Sequence, residues 1–437
     1  MSKPIVAILG RPNVGKSTLF NRLAGRRLAI VEDTPGVTRD RLYAAVEWRG
    51  RPFTLVDTGG FQTEEEDLIV TSTRRQAEIA ASEADVIVFL TDGRQGLLGA
   101  DQDVAQFLRR QHKPVVVAVN KVEHDLGAAA AMEFYGLGLG EPVAISALHG
   151  MGIGDLLDRV VAAFPPADTG DEAQESLGIA IVGRPNVGKS SLVNAWVGEE
   201  RVIVSDVPGT TRDAVDTPFT WKGRRMLLID TAGIRRQSRV RESLEYYSVL
   251  RAMRAVERAQ AVVSLLDASV GITEQDKRII GLGHEAGKAQ VVAFNKWDQV
   301  EKGRRDRASW ERAVHSELPF LDYAPVHCIS VRNGQGLESL MEAVWQSAQA
   351  NALQVPDKAL REVMEDAVVR QPPAGAGKQP VRIFRVYQKG VRPPSFAVVT
   401  NEPDAIHFSY LRYLENRLRE SFDFTGTPIR LIPEPKQ

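Results

Sequence analysis

The sequence predicts an α/β protein in which two tandem copies of a parallel-sheet domain are followed by a small α+β domain. Three observations carry this reading. The octapeptide GRPNVGKS at 10–17 recurs letter for letter at 183–190, a step of 173 residues. The same step relates PGVTRD to PGTTRD, through Thr38 and Thr211, and DTGG to DTAG, through Asp57 and Asp230. Between these landmarks, strand-length runs of Val, Ile and Leu alternate with helix-length amphipathic stretches, the pattern of a parallel sheet covered on both faces. A period this long marks a duplicated domain rather than the repeat of a solenoid.

The first copy, residues 1–164, places strands at PIVAIL, FTLVD, VIVFL, VVVAV and VAI. The second, residues 177–350, places them at GIAIV, MLLID, AVVSLL, QVVAF and VHCI. Insertions accumulate along the second copy: NKVE at Asn120 pairs with NKWD at Asn295, a step of 175, and Ser146 pairs with Ser330, a step of 184. Residues 165–176, PPADTGDEAQES, carry Asp168, Asp171, Glu172 and Glu175 without a basic neighbour and read as an acidic flexible linker. Residues 351–437 read α-β-β-α-β: DKALREVMEDAVV, VRIFRVYQ, SFAVVT, IHFSYLRYLENRLRESF and TPIRLI. PPAGAGKQP at 372–380 is a loop inside that domain. The stripe Phe408, Leu411, Leu414, Leu418 and Phe422 is expected to face its core.

Composition excludes other classes. Lys+Arg 55 against Asp+Glu 56 gives a net charge of -1, which argues against a histone-like sheath on DNA while leaving room for local basic patches. One cysteine, Cys328, excludes a disulfide framework or a cysteine-rich zinc module; it lies in an apolar strand and is expected to be inert core. No run reaches the ~18 apolar residues of a membrane span, and the opening MSKPIVAILG is too short in its apolar stretch to read as a leader. A cytoplasmic chain is expected.

The repeated octapeptide fits G-x-x-x-x-G-K-[ST] between a strand and a helix, the arrangement of a phosphate-binding loop. Its glycines let the backbone turn so that successive N–H groups and a helix N-terminus face phosphate oxygens. Candidate nucleotide-binding residues are therefore Gly10, Arg11, Pro12, Asn13, Val14, Gly15, Lys16 and Ser17, and in the second copy Gly183, Arg184, Pro185, Asn186, Val187, Gly188, Lys189 and Ser190. Lys16 and Lys189 are expected to reach the β- and γ-phosphates. Ser17 and Ser190 are expected to ligate Mg²⁺, with Asp57 and Asp230, at the ends of following strands, holding the ion from behind. The turns Asp57, Thr58, Gly59, Gly60, Phe61 and Asp230, Thr231, Ala232, Gly233, Ile234 complete the phosphate end.

Base identity is read by Asn295, Lys296, Trp297 and Asp298 in the second copy. There the carboxylate can accept from guanine N1–H and N2–H₂, which adenine cannot supply. A buried acceptor left unpaired costs about 1–3 kcal/mol. In the first copy the set is Asn120, Lys121, Val122 and Glu123, and the extra methylene moves the carboxylate outward; Asp125 is the alternative acceptor. Backbone N–H groups near Ser146 and Ala147, and near Ser330 and Val331, are expected to close the two base pockets.

Two such loops, two threonines in T-R-D, two D-T-x-G turns, two NKx[DE] sets and a small α+β tail make the chain resemble the bacterial double-GTPase family Der, also called EngA, over essentially its whole length. The resemblance implies two Ras-like GTPase domains and a KH-like tail. It implies hydrolysis of GTP to GDP and phosphate, and a role in assembly of the large ribosomal subunit, with rRNA as partner, no DNA partner and a monomeric chain. It further implies that Thr38 and Thr211 bind Mg²⁺ and γ-phosphate in the GTP state. Phe61 and Ile234 stand where small GTPases commonly carry a water-orienting glutamine, so turnover is expected to be slow. Asn13 and Asn186 either hold a stimulating K⁺, as in related GTPases with this asparagine, or simply form the turn. The basic run Arg235, Arg236, Arg239 and Arg241, followed by Arg251, Arg254 and Arg258, is either a nucleotide-gated RNA surface or a solvated helix face paired to Glu242, Glu245 and Glu257. No G-x-x-G follows residue 351, so the usual KH backbone clamp is absent and the tail is expected to pack against the nucleotide domains. Two rival functions remain: an RNA- or ribosome-binding scaffold with incidental turnover, and an RNA-modification GTPase, which the missing leading domain and missing late cysteine disfavour.

Overall fold

The computed structural model describes residues 3–25, 43–57, 84–111, 113–122, 131–165, 176–198, 216–231, 244–301, 303, 305–373 and 381–436. The chain packs as two units that part between residues 171 and 172.

In the first unit, strands β1 (Ile5–Leu9), β2 (Tyr43–Trp48), β3 (Arg51–Asp57), β4 (Val86–Asp92), β5 (Val115–Asn120) and β6 (Val143–Ala144) lie in the order β2-β3-β1-β4-β5-β6. Helices α1 (Lys16–Ala24), α2 (Gly99–Arg109) and α3 (Ile153–Ala162) cover the sheet. Alternate residues of β1 enter opposite cores: Val6 and Ile8 pack with Leu19, Phe20 and Leu156, whereas Ala7 and Leu9 pack with Val104, Leu108 and Phe134. Burial on both faces is why these strands are apolar without alternation.

The second unit repeats the plan. Strands β7 (Leu177–Val182), β8 (Thr217–Trp221), β9 (Arg224–Leu228), β10 (Ala261–Asp267), β11 (Ala289–Asn295) and β12 (Val326–Cys328) lie in the order β12-β11-β10-β7-β9-β8. Helices α4 (Lys189–Val197), α5 (Leu244–Arg258), α6 (Glu274–Glu285), α7 (Arg307–Glu317) and α8 (Leu337–Asn351) surround them.

All ten strands read from the sequence are present, but each sheet has an additional antiparallel edge strand, β2 or β8. Their hairpins turn on Arg49-Gly50 (φ 49° and 74°) and Lys222-Gly223 (φ 47° and 76°). Two consecutive left-handed residues make the turn that suits a twisted two-residue hairpin. Half-exposed YAAVEW and TPFTW lack the continuous apolar signal of the central strands, which is why they escape a search for such runs. Strand β9 also stops at Leu228, so Asp230 lies just beyond the strand rather than at its end, with φ 56° and its N–H donating to Asp216 (3.0 Å).

The tail has the expected order: α9 (Asp357–Arg370), β13 (Ile383–Gly390), β14 (Ser395–Thr400), α10 (Phe408–Ser421) and β15 (Arg430–Pro435). Strands β13 and β14 are antiparallel, β14 and β15 parallel. The core takes Leu414 and Leu418 from the expected stripe, but Phe408 is 64% exposed and Tyr410 is buried instead. Phe408 is the first residue of α10, and the buried face runs in steps of four through Tyr410, Leu414 and Leu418. Leu411 and Phe422 pack against this core at its margin.

Tail and second nucleotide domain are joined by backbone bonds: Gln290 N–H donates to the Gly426 carbonyl (2.7 Å), and Gly426 N–H donates to the Tyr323 carbonyl (2.8 Å). Cys328 is only half-buried, at the end of edge strand β12. Burial still pushes its thiol up to about 11, so it stays protonated and unreactive near neutral pH. Among the described residues no helix is long and apolar enough to cross a membrane.

Candidate nucleotide sites

Each loop leaves its first strand beneath a neighbouring strand. A Cβ on Gly10 would lie 2.2 Å from the Leu90 carbonyl oxygen, and one on Gly183 would lie 2.3 Å from that of Leu265. The loop then turns through Asn13 (φ 64°) and Gly15 (φ 99°), or Asn186 (φ 65°) and Gly188 (φ 104°), and α1 or α4 begins at the next residue. A helix start leaves its first N–H groups without an intrahelical acceptor, which suits it to a phosphate. Val14 and Val187 anchor the loops in the two cores. Pro12 and Pro185 stay half-exposed.

The structure brings the sequence-predicted base-recognition asparagines to the same loops. Asn120 Nδ2 donates to the Val14 carbonyl (2.8 Å), and its Oδ1 accepts from the Ala147 N–H (2.8 Å). Asn295 does the same with Val187 (2.8 Å) and Val331 (3.1 Å). In this arrangement the Ala147 and Val331 N–H groups are engaged by asparagine. Lys121 Nζ bridges the Asn13 carbonyl and Asp92 (2.7 Å each), and Lys296 Nζ binds Asp267 (2.5 Å). Burial alone would raise Asp92 and Asp267, but the lysine and backbone hydrogen bonds prevail and hold both below the usual carboxylate range. Asp298 accepts from Ser330 Oγ (2.6 Å), which holds that carboxylate low as well. Trp297 is buried edge-on against Trp310, Val122 bonds to the Ile145 carbonyl, and Ser146 Oγ accepts from His149 N–H.

Both lysines rest on their own loops. Lys16 Nζ donates to the carbonyls of Gly10 (2.7 Å) and Arg11 (2.8 Å), and Lys189 Nζ to those of Gly183 and Arg184 (2.7 Å each). Burial lowers both, Lys189 to about 8 with Asp276 partly opposing the shift. A phosphate beside Lys189 would restore its charge, so nucleotide affinity at the second site is expected to be full below about pH 8 and to fall as pH rises through that value. Calorimetry of GDP binding to the Lys16→Ala chain in buffers of different ionisation enthalpy should give uptake of about one proton at pH 9 and almost none at pH 7. Equal proton exchange at both pH values would contradict this.

Ser17 Oγ donates to Asp57 Oδ2 (2.9 Å) at the end of β3, and that carboxylate is buried. A hydroxyl and a carboxylate side by side at the mouth of a phosphate loop suit a hard divalent cation that shares its remaining ligands with phosphate and water. Among the described residues no group of three or more His, Cys, Asp or Glu could hold a metal ion by itself. Thr231 is buried and meets Thr217 (2.7 Å). Thr38, Thr58, Gly59, Gly60, Phe61, Glu123, Asp125, Thr211, Ala232, Gly233 and Ile234 lie outside the described residues, as do Arg235, Arg236, Arg239, Arg241 and Glu242. Arg258 turns to Asp216, taking one member of the basic run into an ion pair.

Motif reading missed two buried ion pairs, Arg11 with Asp101 (2.7 Å) and Arg184 with Asp276 (2.9 Å). A signal was present: G-x-x-x-x-D ends at Asp101 and again at Asp276, 175 residues apart, the same step as the NK asparagines.

Comparison with known proteins agrees with this geometry. The family model described as "50S ribosome-binding GTPase" matches residues 5–121 and again 178–296. The model described as "KH-domain-like of EngA bacterial GTPase enzymes, C-terminal" matches residues 354–433. GTPase Der of Moorella thermoacetica is 55% identical over 99% of this chain and 98% of its own length. Those of Alkaliphilus oremlandii and Geobacillus thermodenitrificans are each 50% identical over 100% of this chain, and over 99% and 100% of their own lengths. With two GTPase domains, a KH-like tail and end-to-end similarity of this kind, the chain belongs to the Der (EngA) family of tandem-domain, GTP-hydrolysing enzymes.

Proposed function

We propose that this GTPase acts in the cytoplasm on assembly of the large ribosomal subunit, as a monomer, with both sites taking GTP or GDP together with Mg²⁺. The observation that carries the reading is the duplication of one loop geometry, lysine rest and asparagine clamp included, in a chain that spans the full length of its relatives. The proposed domains are residues 1–164, 177–350 and 351–437, with 165–176 as linker.

On nucleotide entry, Lys16 and Lys189 leave their carbonyls for the β- and γ-phosphates, exchanging neutral hydrogen bonds for charge-assisted ones. Ser17, Asp57 and Thr38, and their counterparts Ser190, Asp230 and Thr211, would hold the cation, which supplies charge neutralisation at the phosphates when bound. Asp298, already aimed by Ser330, accepts from the guanine edge; Glu123 has that role in the first site. Thr38 and Thr211 grip the γ-phosphate and release on hydrolysis, which makes the ribosome-binding surface a function of nucleotide state.

Water orientation falls to groups other than the residues after D-x-x-G, since Phe61 and Ile234 cannot polarise it. Asn13 and Asn186, both held at positive φ inside the loops, are the proposed K⁺ ligands. Phe61 and Ile234 also favour the rival reading, a nucleotide-gated scaffold on rRNA with incidental turnover.

Phosphate release by the Lys16→Ala chain with large subunits present, in KCl or NaCl at equal ionic strength, tests the mechanism. Turnover should be about tenfold faster in KCl, and Asn186→Ala should remove the difference. Equal stimulation with and without Asn186 would sink the ion assignment, and no turnover under any condition would favour the scaffold.

A further inference from the structure

Nucleotide motifs do not account for the side chains of Arg11 and Arg184, which reach away from their loops. Arg11 Nε donates to Asp101 (2.7 Å) and Arg184 Nε to Asp276 (2.9 Å), and both carboxylates are fully buried. Each aspartate is the third residue of a helix. Asp101 also accepts from Leu98 N–H (3.2 Å), and Asp276 from the N–H (3.1 Å) and Oγ1 (2.7 Å) of Thr273. The carbonyl of the same arginine is one of the two on which Lys16 or Lys189 rests. One side chain therefore fixes the segment that positions the phosphate-seeking lysine, in both copies.

Helix α6 gives the second pair a further connection. It starts beside Arg184 and, at ~1.5 Å per residue, ends ~18 Å away against the tail. There Arg430 donates to the Glu285 carbonyl (2.8 Å), Asn351 Nδ2 to the Gly287 carbonyl (3.2 Å), and His284 meets Tyr323 (3.0 Å). The Arg419 guanidinium lies over the Tyr323 ring at 5.1 Å. A Cβ on Gly287 would lie 2.6 Å from Pro393 of the tail. Helix α2, which carries Asp101, ends instead at Arg109, beside Gly138 of its own domain.

We propose that Arg11 with Asp101 and Arg184 with Asp276 are positioning pairs that hold each loop ready for phosphate, and that α6 is a strut through which the tail sets the second pair. The inference rests on the nucleotide-site reading above. By linkage, a partner that grips the tail alters nucleotide retention at the second site, and nucleotide there alters the grip of the tail by the same factor.

The test is dissociation of a fluorescent GDP from the full chain carrying Lys16→Ala, with the thermal midpoint measured alongside. Arg184→Ala and Asp276→Asn should each speed dissociation about tenfold. Asn351→Ala should speed it about fivefold, with Arg430→Ala as the milder change if the first disrupts the tail, and neither should add much on top of Asp276→Asn. Arg370→Ala, which breaks an exposed pair on α9, serves as control and should leave the rate unchanged. A lower thermal midpoint with dissociation within about twofold of the parent would reduce the pairs to structural ties. Tail variants that leave the rate unchanged while Arg184→Ala raises it would remove the strut. A parent chain that binds no GDP would overturn the nucleotide-site reading itself, and this inference with it.

Discussion

Gly188→Ala is expected to abolish nucleotide binding at the second site and to destabilise that domain by about 2–4 kcal/mol, through a strained backbone and broken buried hydrogen bonds. The glycine has φ 104°, and an added Cβ would stand 2.3 Å from Asn295 Nδ2. That nitrogen is the far end of a side chain, which elsewhere could swing away. Here Asn295 is buried and fixed at both polar atoms, by the Val187 carbonyl and the Val331 N–H. Relieving the clash therefore unfastens the clamp between the phosphate loop and the base-recognition strand. The first copy repeats the arrangement, with a Cβ on Gly15 meeting Asn120 Nδ2 at 2.4 Å. Isothermal titration with GDP and a thermal melt of each variant measure the two effects. Unchanged GDP affinity in Gly188→Ala would show that the clamp is dispensable.

Lys16→Ala and Lys189→Ala are expected to cost about 100-fold in GDP affinity, each at one site only, since two charge-assisted hydrogen bonds to phosphate are lost. The truncation leaves little disorder behind. Among the described residues each lysine donates only to carbonyls of its own loop, so its truncation breaks no hydrogen bond to another element. Titration of each variant should therefore give one remaining site of normal affinity and a thermal midpoint close to that of the parent. Loss at both sites from one substitution would mean that the two sites are not independent.

Much of this was legible in the sequence because duplication makes chance matches improbable, and because central parallel strands carry an unbroken apolar signal. Ile5–Leu9 and Ala261–Asp267 are buried at every position and could be read directly. Tyr43–Trp48 and Thr217–Trp221 were not, since an edge strand shows one face to solvent and its sequence then resembles a loop. The loop glycines and lysines follow their strands directly and so are read from local spacing, whereas the bonds of Asn120 to Val14 and of Asn295 to Val187 span more than a hundred residues and are seen only in the structure. The pairs Arg11 with Asp101 and Arg184 with Asp276 span 90 and 92 residues, a separation at which only alignment of the copies gives a hint. Phe408 fits the helical stripe by spacing, yet it sits on the first turn of α10, where the period places a residue on the face without guaranteeing that the core extends so far.

Nucleotide-gated binding to the large ribosomal subunit is measured by co-sedimentation. Parent, Lys16→Ala and Lys189→Ala chains would be loaded with GDP or a non-hydrolysable GTP analogue and spun through sucrose with purified large subunits. The parent should pellet with subunits in the GTP-analogue state and remain largely in the supernatant with GDP, and each lysine variant should lose most of that difference. Equal pelleting of all three chains in both nucleotide states would contradict the claim that hydrolysis times ribosome binding.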